Sequence, residues 1–477
     1  MRNLFRTSLL AVLVPAVLLL AAGCSDDDDT TTTGADMGQG SELRIVHASP
    51  DAPAVDIYAE GVTTPLATNV AYGDATPYLE LAAGEYNIQL RGAGSAAGSA
   101  PAFETGMLTI PDGAKITAAA VGLFNSNAAD DKFRVLTFAE GFDAAGAGNA
   151  IVRIIHASAD APTVALDVGN NGNADVPNFE RFGDTGAAGV PLPANTELQI
   201  AVWAGEPLSR VTVFTTPQLP EGAELFVFAT GLLGKLPRED DGFSLLAVAP
   251  TGAIGFVKQN PVVFALHASP DAPAVDIYAG DAELVDNLSF GNISAPIQVA
   301  PGSYTLSFRS FDNGPEAASA TTPALAAGER YLAVASGYLL SGTPAFTLLP
   351  YADGFDLSSD APLVRVLHAS PDAPPVDVGT VSGGTVTAVE AFTNLSFTEV
   401  STVAGPELPV GTLPIGIAGA GTTEAVASFS VPTATGVRAF AIAAGSFGAE
   451  SPGERFRLLI VDTASYPWAS AELLPVE

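Results

Sequence analysis

Histidine, serine and aspartate recur together in one short segment of this chain, and hydrolase triads and metal sites are built from these residue types. The segment occurs four times and contains all four histidines of the 477-residue sequence. Two roles are open to these residues, catalysis and the shaping of a turn. The candidates are His47, Ser49 and Asp51; His156, Ser158 and Asp160; His267, Ser269 and Asp271; and His368, Ser370 and Asp372.

The spacing within the segment favours a structural role over a catalytic one. Hydrolase triads usually converge from separate parts of the chain, with the nucleophile on a strained turn beside oxyanion donors. Here the histidine ends a predicted strand and Ser-Pro-Asp forms the adjoining turn. We predict a structural corner in which the imidazole bonds the turn, the aspartate caps backbone N–H groups and the prolines fix the path. No catalytic residue is assigned.

Metal binding is the next possibility. Zinc needs three or four His, Cys or carboxylate ligands, and each copy of the segment supplies one histidine and no cysteine, so zinc is disfavoured. Calcium has a better candidate in the loop from Asp167 to Asp175, where Asp167, Asn171 and Asp175 occupy positions 1, 5 and 9 and Gly172 occupies position 6. The loop lacks a glutamate at position 12, and a metal-free Asn/Gly turn is the alternative. We therefore expect no cofactor, with calcium at this loop as the one alternative.

The four segments divide the chain into tandem modules. His47, His156, His267 and His368 are separated by 109, 111 and 101 residues, which is the size of one small domain. We place the modules at residues 41–146, 147–258, 259–359 and 360–477.

Each module reads as seven short strands joined by Pro- and Gly-rich turns. In module 1 the clearest are residues 43–47, 54–58, 78–81, 86–91, 106–110, 116–121 and 133–138. Seven such strands in about 100 residues are typical of a two-sheet sandwich. The predicted fold class is all-β: four tandem Ig-like or prealbumin-like β-sandwich modules.

The N-terminus has the features of an export signal. Arg2 and Arg6 precede a short apolar run, and Leu20-Ala21-Ala22-Gly23-Cys24 resembles a bacterial lipobox. We predict a lipoprotein signal peptide at residues 1–23 and lipidation of Cys24, the only cysteine. Residues 24–40 are rich in Asp and Thr and predict a disordered tether. The expected location is the cell envelope, as an outer-membrane lipoprotein facing either the periplasm or the exterior.

The charge of the chain excludes one class of partner. The sequence has 52 Asp and Glu residues against 19 Lys and Arg, a formal charge of −33, or about −35 without Arg2 and Arg6. Such a surface repels phosphate backbones, so nucleic acid is not expected as a partner. The expected partners are the membrane, through the lipid anchor, and a protein or glycan ligand.

The repeated segment also resembles a known family. Val46 to Tyr58, followed by Ala71-Tyr72-Gly73, Tyr78 and Ala83-Gly84-Glu85-Tyr86, is similar to the DUF4397 family, a bacterial extracellular domain that often occurs in tandem. The resemblance extends over residues 41–470 and is weaker in modules 2 and 4. It implies a sandwich fold and an exported location, and it implies no catalytic residues.

Two hypotheses of function follow. The first is a non-enzymatic, lipid-anchored envelope or cell-surface protein with a binding or structural role. The alternative is a secreted hydrolase, or a substrate-capturing accessory of one, with a carboxylate site at a module junction that no motif reveals.

Overall fold

The computed structural model describes residues 40–310, 314–340, 342–449 and 454–476. The predicted signal peptide, Cys24 and the tether up to residue 39 lie outside these ranges and stay predictions. Across the described part of the chain the structure is built from strands, with one 3₁₀ turn at Glu390–Phe392. In the same part, no helix has the length and hydrophobicity needed to cross a membrane.

Module 1 contains eight strands that form two sheets around one apolar core. The strands are β1 (Ser41–His47), β2 (Val55–Ala59), β3 (Ala67–Val70), β4 (Leu79–Leu81), β5 (Gly84–Gly92), β6 (Phe103–Ile110), β7 (Lys115–Val121) and β8 (Arg134–Ala139). One sheet has the order β4-β1-β7-β8. It contains β1, which ends at the repeated histidine, and we call it the motif sheet. The outer sheet has the order β3-β2-β5-β6.

Module 2 repeats this arrangement and adds one strand. Its strands are β9 (Asn149–His156), β10 (Val164–Val168), β11 (Val176–Phe179), β12 (Val190–Pro193), β13 (Gln199–Ala204), β14 (Ser209–Thr215), β15 (Glu224–Thr230), β16 (Ser244–Ala249) and β17 (Gly252–Lys258). The motif sheet has the order β12-β9-β15-β16-β17 and the outer sheet β11-β10-β13-β14.

Modules 3 and 4 follow the same plan, with an added C-terminal strand in module 4. Their motif sheets have the orders β21-β18-β24-β25 and β26-β31-β32-β33, and their outer sheets β20-β19-β22-β23 and β28-β27-β29-β30, formed by β18 (Val262–His267), β19 (Val275–Ala279), β20 (Ala282–Leu288), β21 (Ile297–Gln298), β22 (Thr305–Ser310), β23 (Glu316–Thr321), β24 (Arg330–Ser336), β25 (Thr347–Ala352), β26 (Leu363–His368), β27 (Val376–Ser382), β28 (Thr385–Ala388), β29 (Gly411–Gly419), β30 (Ala425–Thr433), β31 (Arg438–Ala444), β32 (Arg457–Asp462) and β33 (Ala469–Leu473). The predicted all-β class and the repeated sandwiches are confirmed.

The modules pack in pairs through their motif sheets. In the first pair, Val46 and Val121 of module 1 share an apolar cluster with Ile155 and Phe228 of module 2. A larger cluster joins the motif sheets of modules 3 and 4. We call modules 1 and 2 the first block and modules 3 and 4 the second block. Each block therefore stacks four sheets, with the two motif sheets at its centre.

This stacking explains why the motif strands have nearly continuous apolar sequences. Successive side chains of a strand point to opposite faces. In β1, Leu43 and Ile45 point into the core of their own sandwich, whereas Val46 faces module 2. A strand that is buried on both faces needs apolar residues at nearly every position.

One strand of module 1 is missing from the sequence-based prediction. This strand is β3, which pairs with β2 through an irregular register. It is short, mostly exposed and interrupted by Asn69, whose φ of 53° is in the left-handed region. Asn178, Asn287 and Asn394 adopt the same φ at the matching places, so an edge strand with a bulge gave no alternating pattern to recognise.

Candidate functional site

Each repeated histidine ends the first strand of its motif sheet and bonds the turn that follows. Its Nε2 lies near the carbonyl oxygen of the proline six residues later, and it must be the donor because a carbonyl can only accept. In all four copies the ring is buried, and Nδ1 has no hydrogen-bond partner among the described residues. Burial lowers the pKa of every one of these imidazoles below its ordinary 6.5. The Nε2–O distances are 3.3 Å for His47, 2.9 Å for His156, 3.0 Å for His267 and 3.1 Å for His368.

The repeated serine is fully buried and bonds a glycine carbonyl at the end of the next motif-sheet strand. Ser49 Oγ donates to Gly122 O over 2.7 Å, and the other three copies make the same bond to Gly231, Gly337 and Gly445. Gly122 has a φ of +80°, and a Cβ there would lie 2.5 Å from the backbone oxygen of Lys132. Only glycine fits this close approach.

The repeated aspartate caps the loop that starts at that glycine. The Asp51 carboxylate accepts hydrogen bonds from the amides of Phe124 (2.6 Å) and Asn125 (2.9 Å). The same two-amide contact recurs with Leu233 and Gly234 for Asp160, with Leu339 and Leu340 for Asp271, and with Phe447 and Gly448 for Asp372. Charged acceptors make strong bonds of this kind, so the carboxylate fixes the path of the loop.

These contacts engage the histidine, serine and aspartate separately with the backbone. In modules 2 and 4 the serine also contacts the aspartate, with Ser158 Oγ 3.1 Å from Asp160 Oδ1 and Ser370 Oγ 3.5 Å from Asp372 Oδ1. Within the four segments, all of which the structure describes, no hydrogen bond joins the histidine to the serine. A serine whose proton is directed at a buried carbonyl is not poised as a nucleophile, because the nucleophile of a triad donates to its base. The geometry is that of a corner between two strands and a loop.

The corner also contributes to the contact between modules. The alanine after each histidine (Ala48, Ala157, Ala268 and Ala369) is fully buried in the cluster that joins the two motif sheets of its block. Thr230 of module 2 donates to Ala48 O of module 1 over 2.7 Å, and Ser336 of module 3 makes the equivalent bond to Ala369 O of module 4. One short segment therefore shapes the module and helps to pair it.

Sequence reasoning missed a set of buried arginines at this interface. An arginine stands three residues before the histidine in modules 1, 2 and 4, and this repeated spacing was a signal in the sequence that could have identified them. Arg44 Nη1 donates to Ala249 O of module 2 over 2.7 Å, and Arg153 Nη1 makes the reciprocal bond to Ala139 O of module 1 over 2.7 Å. Module 3 has Phe264 at this position, and its ring stacks on Trp468 of module 4 with centroids 4.4 Å apart.

Of the predicted calcium residues, Asp167 lies near the end of β10, and Asn171 and Asp175 lie in the β10–β11 loop. The two carboxylates contact backbone amides. Asp167 is fully buried and accepts from the amides of Asn171 (2.9 Å) and Gly172 (2.8 Å), and Asp175 accepts from the Val168 amide (2.7 Å). This is the bonding of an Asx-type turn. The calcium prediction itself remains untested. A separate cluster of three carboxylates lies in module 3, where one oxygen from each of Asp276, Glu283 and Asp286 lies within 4.8 Å of the others.

Two carboxylates lie where the blocks meet, which is the kind of place that the hydrolase hypothesis requires. Burial raises the pKa of Asp353 and of Glu329. Arg238 of module 2 opposes both shifts, and it donates to Phe355 O over 2.7 Å. Arg330 and Arg365 also oppose the rise in the pKa of Asp353. The carboxylates therefore lie in the electrostatic field of guanidinium groups from more than one module.

Comparison with known proteins gives one family and no activity. The profile of the family described as "Domain of unknown function (DUF4397)" matches residues 41–168, 262–379 and 362–472. No curated protein matches the chain. Among solved structures it is similar to the Bacillus anthracis TIE protein, with 10% identity, 85% of this chain and 74% of that chain covered, and a TM-score of 0.14. Most of module 2 lies outside the matched segments.

Proposed function

Because the chain belongs to the DUF4397 family, whose description assigns no activity, we propose its function from its own residues: a non-enzymatic protein of the bacterial envelope, held by a lipid on Cys24, with a binding or structural role. One observation carries the proposal. The histidine, serine and aspartate that the chain repeats four times are engaged by backbone groups in every copy, so the repeated segment builds modules.

The architecture supports a scaffold. Two blocks, each closed by a shared apolar core, give a surface repeated along the chain. Repeated modules bind a repetitive glycan or protein with an avidity that rises with copy number. The acidic composition favours cationic or neutral partners over nucleic acid. The proposed role needs no cofactor, and calcium at the β10–β11 loop stays the one alternative.

The test combines protease treatment of intact cells with analysis of Cys24. We expect module peptides to be released into the medium while a lipid-modified peptide containing Cys24 stays with the membrane. A Cys24→Ala variant is the matched control and should leave the membrane fraction without loss of folding. Full protection from protease would move the proposed role to the periplasm, and a wild-type Cys24 without lipid would overturn the anchoring.

A further inference from the structure

Module 2 encloses an apolar cavity much larger than the interior spaces found in modules 1 and 3. It has a volume of about 670 Å³ and lies between the motif sheet and the outer sheet. The interior spaces found in modules 1 and 3 are no larger than about 40 Å³. Cavities of about 300–1,000 Å³ are the size that holds small-molecule ligands.

In the motif sheet of module 2, the side chains that face the sandwich interior are less buried than those that face module 1. A filled sandwich interior would bury its inward-facing side chains completely. Val227 and Leu245 point into the sandwich, and both are only partly buried because the cavity exposes them. Their neighbours Phe228 and Leu246 point at module 1 and are completely buried. The contact between modules is thus better packed than the interior of module 2.

Smaller side chains at two positions, in β13 and just before it, account for part of the cavity's volume. Val202 in β13 pairs with Leu166 of β10, and the matching pair in module 3 is Phe308 with Ile277. Four positions earlier, Leu198 of module 2 corresponds to Tyr304 of module 3. Module 2 therefore has smaller, aliphatic side chains where module 3 fills its core with two aromatic rings.

The cavity has an opening, and no cation lines it. Its exposed lining residues lie on the β14–β15 loop, including Gln218, on the β16–β17 turn at Pro250, and near the start of β17, where Ile254 is 62% exposed. Glu224 is the only charged residue of the lining, and no Lys or Arg contributes to it. Water inside would find few polar partners, so the space suits an apolar occupant.

We propose that module 2 is a binding site for an uncharged lipid, whose aliphatic chain fills the cavity and whose polar end lies at the opening between the β14–β15 loop and the β16–β17 turn. The aliphatic lining and the volume fit a flexible chain, and Glu224 without a cation disfavours a fatty-acid carboxylate. This inference goes beyond the envelope role and does not depend on it.

The test uses the full chain with Cys24→Ala, so that no acyl group on the protein itself can enter the site. Fluorescence titration with the neutral apolar probe N-phenyl-1-naphthylamine should show saturable binding of about one probe per chain. Hexadecanol should displace the probe, and palmitate should do so at least tenfold less effectively. Absence of saturable binding would overturn the proposal, and equal displacement by palmitate would overturn the preference for an uncharged lipid.

The location is tested by filling the cavity. Val202→Phe places the ring of module 3 at the matching position, and probe affinity should fall at least tenfold. Val211→Phe is the matched control, because Val211 is 45% exposed on the neighbouring strand and does not line the cavity. Ala247→Leu, on the inward face of β16, serves as a second filling variant if Val202→Phe does not fold. Full probe binding in a folded filling variant would exclude this site.

Discussion

At the scale of single residues, the repeated segment makes a stability prediction. Replacing His267 with alanine removes the Nε2 bond and leaves Pro273 O without its donor. We expect a loss of about 1–3 kcal/mol in the unfolding free energy, which is typical for an unsatisfied buried polar group. Urea unfolding followed by circular dichroism measures it. Unchanged stability together with loss of a bound ligand would instead assign the histidine to a binding site.

The same histidine gives a pH dependence. Its folded pKa is lowered by burial, whereas its unfolded pKa is the ordinary 6.5, so below pH 6.5 the unfolded chain binds more protons. The stability that the neutral ring contributes is complete above pH 6.5 and is lost as pH falls toward the folded pKa.

The pH effect is isolated by comparison with His267→Gln, which keeps an amide donor and does not titrate. Between pH 7.5 and 5.5 the wild-type unfolding free energy should fall more than that of the variant. Each unit of pKa difference corresponds to about 1.4 kcal/mol. Parallel losses in the two proteins would show that the burial of His267 does not govern its ionisation.

At the scale of elements, the contact between motif sheets can be probed at its aromatic stack. Phe264→Ala removes a fully buried ring from the Trp468 face, and we expect a cost of about 3–5 kcal/mol. The chain has two tryptophans, so a Trp203→Phe background leaves Trp468 as the only emitter, and its emission should shift to the red. Phe447→Ala, at an exposed ring, is the control. A stable variant with unshifted emission would mean that this stack does not hold the block together.

The β10–β11 loop gives a prediction about metal. Calcium would have to replace the amide bonds that the Asp167 and Asp175 carboxylates already accept, so we expect any binding to be weak, with a Kd of about 1 mM or higher. Calorimetry on the whole chain measures this, with Asp175→Asn as the control. A micromolar saturable heat that Asp175→Asn abolishes would establish a calcium loop.

The sequence predicted what depends on local pattern and missed what depends on packing. Alternation and turn residues located seven of the eight strands of module 1, and β3 escaped because its bulge at Asn69 breaks the alternation. The Ser-Pro-Asp spacing indicated a turn, yet its partner Gly122 lies 73 residues beyond Ser49. The burial of both faces of β1 and the cavity in module 2 depend on which other strands and modules pack against them. The residues of one strand do not reveal those packing partners.

At the scale of the whole molecule, the blocks should be the units of unfolding. Each block has an apolar cluster shared by its two motif sheets, whereas the contact between modules 2 and 3 includes polar bonds such as Gln298 Nε2 to Thr212 Oγ1 at 3.1 Å. Calorimetry should resolve two cooperative transitions. His267→Ala should move one of them and leave the other in place. Four independent transitions would contradict the pairing.

The added strands β17 and β33 occur in the second module of each block, at matching places after β16 and β32. The repeating unit of the structure is thus a pair of modules, 220 residues long from His47 to His267 and 212 from His156 to His368. A recombination that inserted or deleted a single module would leave one motif sheet with its apolar face in water, open to aggregation. Engineered insertion or deletion of repeats should therefore be tolerated two modules at a time.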